Sequence, residues 1–451
     1  MDTANRDIME QAKNLIREFP ICDRCLGRQF AWLSTDSTNE ARGKSLKLVM
    51  SMIADAALKG KDDEESKAIL QSLAGNGMFA PAKSICEKHG LDFQDSDPCA
   101  LCSIYGASVY ERIPTIIERV IESIESVEFD SFLVGSDAGE SLEDKNDEIR
   151  GKLELLYAET LKSNFNRELG KRLSDVLHKE VDLQKPDLVV FYNMVKDEVK
   201  IRTNPVFIYG RYRKLARGIP QSRWDCKACG GKGCDICQGT GRKYQDSISE
   251  YVGVPAQEAL KGSKFKFHAA GREDIDVLML GTGRPFVVEI SKPLVRRPDL
   301  DAIALTINTQ GHGKVEVSNL GMTTRQKLQN LKTAASESIK EYHAFISTEK
   351  EVDLQDIEKA VTSLSGCVLE QRTPTRVAHR RSDLVRKKQV IELKLVKKDT
   401  HLLEGYFRVQ GGTYIKELIS GDQGRTSPSL AEILGTDCEC QQLDVIAVHS
   451  E

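Results

Sequence analysis

No stretch of this chain approaches the roughly 18 consecutive apolar residues needed to cross a bilayer, so a membrane protein is not expected. Nor is there a large excess of charge: 64 Lys and Arg stand against 68 Asp and Glu, a net of -4. Spread evenly, that balance would argue against a polyanionic partner. A glycine-rich nucleotide loop is also missing. The closest candidate, GlyThrGlyArgPro at Gly281 to Pro285, is too short to cradle phosphates and is expected to be a hairpin turn between two strands, the second beginning at Pro285. This removes the usual nucleotide-dependent group transfers. Met1 to Phe19 has the pattern of an amphipathic helix rather than a secretory signal, so the expected location is cytoplasmic. What remains is 451 residues, enough for two or three domains with their own cores.

The charge is not evenly spread. Glu122 to Glu148 holds ten acids and one base, a net of -9, whereas Arg372 to Thr400 holds ten bases and three acids, a net of +7. A basic stretch is often just a solvated face. Here, however, cations alternate with apolar residues, as in Val390 to Val396, the pattern of a strand that carries cations beside a groove. That favours a polyanion.

Eight of the 12 cysteines form four Cys-x-x-Cys pairs: Cys22/Cys25, Cys99/Cys102, Cys226/Cys229 and Cys234/Cys237. In a reducing compartment such pairs are better read as zinc ligands than as disulfides, because a two-residue spacer lets both sulfurs reach one tetrahedral ion. The natural grouping is the first two pairs across a long insertion and the last two across Gly230 to Gly233, giving two structural Zn2+ sites. A redox pair is the competing reading, although one exposed motif would suffice for that. Cys86, Cys367, Cys438 and Cys440 are expected to be incidental thiols.

Along the chain, the first hundred residues read as helices, with Ile8, Ala12, Leu15, Ile16 and Phe19 on one face. A helical run from Ile113 to Ile124 leads to Ser136 to Glu140, which has the composition of a loop, and then to one long helix from about Asp147 to Leu177. Pro186 to Tyr192 and Val199 to Arg202 make a hairpin, with Pro205 to Tyr209 as a third strand. From Lys264 onward the pattern is strand-rich, and Gly405 to Thr426 is a strand entering a helix.

The runs Phe165 to Leu173, Val181 to Val190 and Val206 to Leu215, followed by IleProGlnSerArgTrp at Ile219 to Trp224 and the four-cysteine knuckle, resemble a THUMP-type RNA-binding region. The version they match is the one fused to the archaeal and eukaryotic tRNA pseudouridine synthases of the tenth family. HisAlaAlaGlyArgGluAspIleAsp (His268 to Asp276) resembles the catalytic-aspartate motif of those enzymes, LysGluTyrHisAla (Lys340 to Ala344) the motif that places an aromatic ring under uracil, and GlyThrTyrIleLys (Gly412 to Lys416) the motif that supplies an aliphatic and a basic residue. Taken alone, ArgGluAsp would be ordinary surface charge.

The resemblance implies an α+β protein. A zinc-stabilised THUMP-containing RNA-binding domain is expected over residues 1–224, a cysteine-glycine knuckle and linker over 225–252, and a catalytic domain over 253–451 with a mixed, mainly antiparallel sheet flanked by helices. It implies isomerisation of uridine in the T-arm loop of tRNA, at position 55 and probably also 54, by a protein that can act as a monomer without a catalytic cofactor. The chemistry needs a carboxylate to attack C1′ or take a sugar proton while uracil leaves. Asp274 is the candidate, with Asp276 second. In a closed pocket it needs a cation to keep it ionised, the role that falls to Lys416. Tyr342 would stack on the base and could remove the C5 proton, and Ile415 or Leu418 would pack the other face. Arg211, Lys214, Arg272, Arg376, Arg380, Tyr414 and Arg425 are the expected tRNA contacts, with Arg213 and Arg381 beside them.

The alternative is a non-catalytic, zinc-containing tRNA-binding adaptor, in which ArgGluAsp is merely surface. A co-chaperone is suggested by the cysteine-glycine repeats but would need a HisProAsp signature, which the chain lacks.

Overall fold

A computed structural model describes residues 7–60, 63–96, 98–334 and 337–449; of Ala334 and Arg380 it describes the backbone only. The chain divides into two compact units, residues 1–204 and 205–451. None of the described helices is long and apolar enough to cross a membrane.

Among the described residues of the first unit, five α-helices (Ile8–Glu18, Asp23–Arg28, Asn39–Gly60, Glu64–Ala74, Ala80–His89) precede a sixth at Ile113–Ile124. Asp7 caps the first through the amides of Met9 and Glu10, and its buried face is Ala12, Leu15 and Ile16, three of the five apolar positions expected there. Ile8 is exposed, and Phe19 is already past the helix end. A four-stranded sheet follows, in the order Glu180–Val181, Ser131–Asp137, Leu188–Asn193, Glu198–Thr203, with helices Glu140–Leu153 and Leu161–Leu177. The expected hairpin is present, with Leu188 opposite Thr203.

Two local expectations fail. Ser136 and Asp137 finish a strand rather than form a loop. The single helix from Asp147 to Leu177 is two: Glu154 adopts the left-handed conformation and ends the first, and Thr160 caps the second through the Ser163 amide. Leu155 fills the break with buried apolar surface, so the periodicity runs on while the backbone does not.

The strand Val206–Lys214 belongs to the second unit. It pairs along its length with Val315–Thr323 on one side and Leu278–Ser291 on the other, so the units divide ahead of the boundary expected at Trp224, and the third strand expected for the first unit lies in another sheet. Among the described residues, that sheet has ten strands. In order they are Val315–Thr323, Val206–Lys214, Leu278–Ser291, Cys438–His449, Ile339–Thr348, Leu402–Gln410, Val385–Asp399, Val368–Arg372 and Thr426–Ser427, with Lys264–Ala269 also on Leu278–Ser291. All neighbours are antiparallel except Cys438–His449 with Leu278–Ser291. The GlyThrGly turn expected at Gly281 to Gly283 is no hairpin: one strand runs through it, with Gly281 and Gly283 at positive φ accommodating a register shift. Their missing Cβ atoms let Ile446 O and Tyr212 O approach.

Candidate active site

The site is built around Gly271–Val277, the loop between the strands Lys264–Ala269 and Leu278–Ser291. Gly271 turns the chain at φ +89, and a Cβ there would meet Arg284 Nη1 and Lys340 Nζ at 3.0 Å. The following side chains alternate. Glu273 points into the core, where Arg284 Nε donates to it at 2.8 Å and the Tyr212 hydroxyl at 2.9 Å, both partners being fully buried. Gln221 Nε2 completes the network by donating to Tyr212 Oη and to Gly271 O. A buried ion pair with its remaining valences satisfied is costly to break from one side, so it pins the loop. Asp274, the next residue, points the other way.

The loop carbonyls are held from below. Lys214 Nζ donates to Asp274 O and Ile275 O at 3.2 and 2.8 Å, and Arg217 donates to Asp276 O at 2.5 Å. Lys214 is only 1% exposed, and burial pushes its ammonium down to about 8. That burial does not suit the expected role as a phosphate contact: two of its three N–H donors are taken by the loop carbonyls. Arg211 likewise donates to the carbonyls of Thr282, Gly283 and Val448, tying strands together rather than reaching outward.

Above the loop lies a cleft of about 300 Å³, lined among others by Arg272, Asp274, Tyr342, Arg376, Tyr414, Ile415 and Lys416. Arg376 Nη1 donates to Asp274 Oδ2 at 2.7 Å, while its Nε donates to buried Glu417 at 2.6 Å. The cation expected at Lys416 is thus supplied by Arg376. Lys416 pairs with Asp276 at 2.7 Å instead. Burial works to raise the Asp276 carboxyl, and the Lys416 contact overcomes it, leaving the group below the ordinary carboxylate range.

Tyr342 projects from the strand Ile339–Thr348, and burial raises its phenol, so it keeps its proton at neutral pH and is suited to packing rather than to acting as a base. Ile415 faces the cleft, whereas Leu418 is fully buried core. The Tyr414 backbone is held at both ends by the Gln371 side chain. Arg425 donates to Thr373 O and Asp383, bracing the segment that carries Arg376 and Arg381 rather than entering the cleft. The Arg380 side chain lies outside the described residues. Sequence reading missed Glu273, Arg284, Tyr212 and Glu417. Each is an ordinary residue whose partner is distant in sequence, and only the alternation of Glu273 with Asp274 hinted at opposite roles.

Both four-cysteine groups assemble as expected: in each, the four sulfurs lie within 4.8 Å of one another. Cys22 and Cys102 sulfurs are 3.8 Å apart, Cys226 and Cys234 3.9 Å, and Cys229 and Cys237 3.8 Å. A tetrahedral ion with sulfurs at about 2.3 Å would space them by about 3.8 Å, so both sets fit such an ion. In the second group, the amides of Gly233 and Gly241 point at Cys229 and Cys237 sulfurs. In the first, fully buried Arg28 donates toward Cys25 Sγ and to Asn146 Oδ1, placing a positive charge beside the thiols. Lys47 Nζ anchors Ile21 O and Asp23 around Cys22.

Two family models match. One, described as "Pus10, C-terminal", covers residues 207–449, and the other, "Pus10 THUMP domain, archaeal", covers residues 116–193. A tRNA pseudouridine synthase Pus10 of Methanothrix thermoacetophila is 41% identical over 442 residues, 98% of this chain and 94% of the relative. That of Methanocaldococcus jannaschii is 40% identical, over 96% and 93%. That of Methanopyrus kandleri is 36% identical, over 98% and 99%.

Proposed function

The chain belongs to the Pus10 family of tRNA pseudouridine synthases, and on that premise we propose that it isomerises uridine in the T-arm loop of tRNA, with Asp274 as the reacting carboxylate. The enzyme class is isomerase. The observation that carries the residue assignment is the pairing of Asp274 with Arg376 at 2.7 Å in a cleft that also holds Tyr342 and Ile415.

Each group then has a task. The flipped uracil lies between the Tyr342 ring and Ile415, which offset the few kcal/mol lost on unstacking. Asp274 attacks C1′ or takes a sugar proton as the bond to N1 breaks. Arg376, held in place by Glu417, orients the carboxylate through the contact from its Nη1 to Asp274 Oδ2. Uracil turns, and C5 bonds to C1′ as the Asp274–C1′ bond breaks or the sugar proton returns from Asp274; the C5 proton then passes to the freed Asp274 carboxylate or to water while N1 takes up a proton, so no atom is gained or lost overall. Arg272 and Arg381 at the cleft mouth meet the backbone of the flipped nucleotide. The T-arm assignment, position 55 and also 54, follows the family resemblance. Zinc is the metal we assign to the two cysteine groups: Cys22, Cys25, Cys99 and Cys102 would hold one ion, Cys226, Cys229, Cys234 and Cys237 the other. When bound, the ions cross-link the chain and take no part in the isomerisation.

The test is a site-resolved pseudouridine map of one transcribed tRNA, run with wild type and Asp274→Asn. Wild type should modify position 55, with or without 54, and the variant should lose product by at least about 10³-fold while binding tRNA nearly as well. Full activity in Asp274→Asn would move the reacting carboxylate to Asp276 or overturn the assignment. Wild type that binds tRNA without forming product would instead describe an adaptor.

A further inference from the structure

Beyond the cleft, the cysteine knuckle carries an arrangement that the reaction itself does not use. The chain enters the knuckle at Trp224 and leaves it at Lys243 and Tyr244, and the two ends are zipped together. Lys243 N donates to Trp224 O at 2.9 Å, Cys226 N donates to Gly241 O at 2.8 Å, and Asp225 bridges Arg242. The Trp224 and Tyr244 rings meet edge to face, with centroids 5.5 Å apart at 77°. Lys243 Nζ stands 5.3 Å from the Trp224 centroid and 5.5 Å from that of Tyr244. The Arg272 guanidinium stands 5.4 Å from Trp224. Arg272 also lines the cleft. One indole therefore contacts both the cation at the cleft mouth and the cation of the knuckle.

Both cations are exposed and both rings half-buried. Between Arg223 and Lys243 the sequence offers five cations (Arg223, Lys227, Lys232, Arg242, Lys243) against two acids (Asp225, Asp235). Aromatic faces overlaid by exposed cations, and linked through Arg272 to a cleft for a flipped base, suit one kind of ligand: unpaired nucleotides, whose phosphates draw the cations off the rings and whose bases stack in their place. A paired stem presents phosphates but no free base face. We infer that Trp224 and Tyr244, with Lys243 and Arg272, form a stacking subsite for an unpaired nucleotide flanking the target uridine. The inference rests on the functional reading above.

The chain has two tryptophans, Trp32 and Trp224, so Trp32→Phe leaves Trp224 as the sole indole reporter. Its emission should be quenched saturably by a transcribed T-arm hairpin and be unaffected by a blunt duplex of the same stem. Trp224→Ala should raise KM by about tenfold with kcat within about twofold, and Trp224→Phe should recover most of the loss, since a ring still stacks. Metal content and melting temperature should stay at wild-type values in both. If the hairpin leaves Trp224 emission unchanged while Trp32→Phe forms pseudouridine at the wild-type rate, the subsite is refuted and the enzyme assignment survives. If both Trp224 variants lose metal and melt early, the ring is a structural support of the knuckle and the inference falls. If wild type forms no pseudouridine at all, the functional reading fails and the subsite with it.

Discussion

Lys340 sits two residues before Tyr342 on the same face of its strand, 5% exposed beside Arg284. Burial, and then the Arg284 charge, bring its ammonium down to about 7 from the ordinary 10.5. In the unfolded chain it holds its proton to the higher value, so between these pH values the unfolded state binds more protons and stability rises with pH. A melting series should therefore show Lys340→Met with its full advantage over wild type at and below pH 7, and the gap closing as pH rises from there toward 10.5. Parallel curves would mean the amine is ionised in the fold throughout. Residues of this kind are where sequence reading stops. The place of Asp274 in the cleft was legible because Gly271 and Arg272 beside it complete the motif it resembles. Arg376 lies 102 positions away, and nothing local marks it as that carboxylate's partner rather than as one more cation in a basic run. Lys416 was placed in the cleft correctly but with the wrong acid, because Asp274 and Asp276 are only two residues apart.

At the scale of elements, local signals were read well where one face decides and poorly where a backbone detail does. Ile113–Ile124 was legible to the residue, since Ile113, Ile116, Val120 and Ile124 form one buried stripe. The break after Leu153 was not, because Leu155 keeps the apolar rhythm going. The contact between Asp23–Arg28 and Asn39–Gly60 is another backbone matter. Gly27 and Gly43 let the helices touch main chain to main chain, and a Cβ on Gly27 would fall 1.8 Å from Asn39 O. No side-chain shift can relieve that. Gly27→Ala should cost about 3 kcal/mol in urea unfolding of the first unit, whereas Gly151→Ala, inside Glu140–Leu153 with open space around it, should gain about 0.5–1 kcal/mol. Because Gly27 lies two residues from Cys25, Gly27→Ala should also release metal. Elemental analysis should find close to two zinc ions in wild type and fewer in the variant. A metal-free wild-type protein would remove the cross-links assigned to the cysteines.

For the whole molecule, the net of -4 is a sum of opposites. The first unit carries 27 Lys and Arg against 37 Asp and Glu, a net of -10, and the second 37 against 31, a net of +6. Sequence windows already showed an acidic and a basic segment, but only the position of the chain division shows that the excess of cations belongs to the unit with the cleft. Counterion release responds to cations that meet phosphates, within a Debye length of about 10 Å, and not to the total. Lys387 and Lys394, on the strand Val385–Asp399, and Arg381 just before it are exposed; the two lysines pair with Glu370 and Glu392 only at the surface, pairings worth little and easily exchanged for phosphate. Replacing all three by glutamine should flatten the plot of log affinity for tRNA against log salt by up to about 2.7. Neutralising Glu143, Asp144 and Glu148 changes the total charge by as much in the other direction, yet should leave the slope unchanged. Equal and opposite effects would show that tRNA senses net charge, and would remove the reason for placing its backbone along that strand.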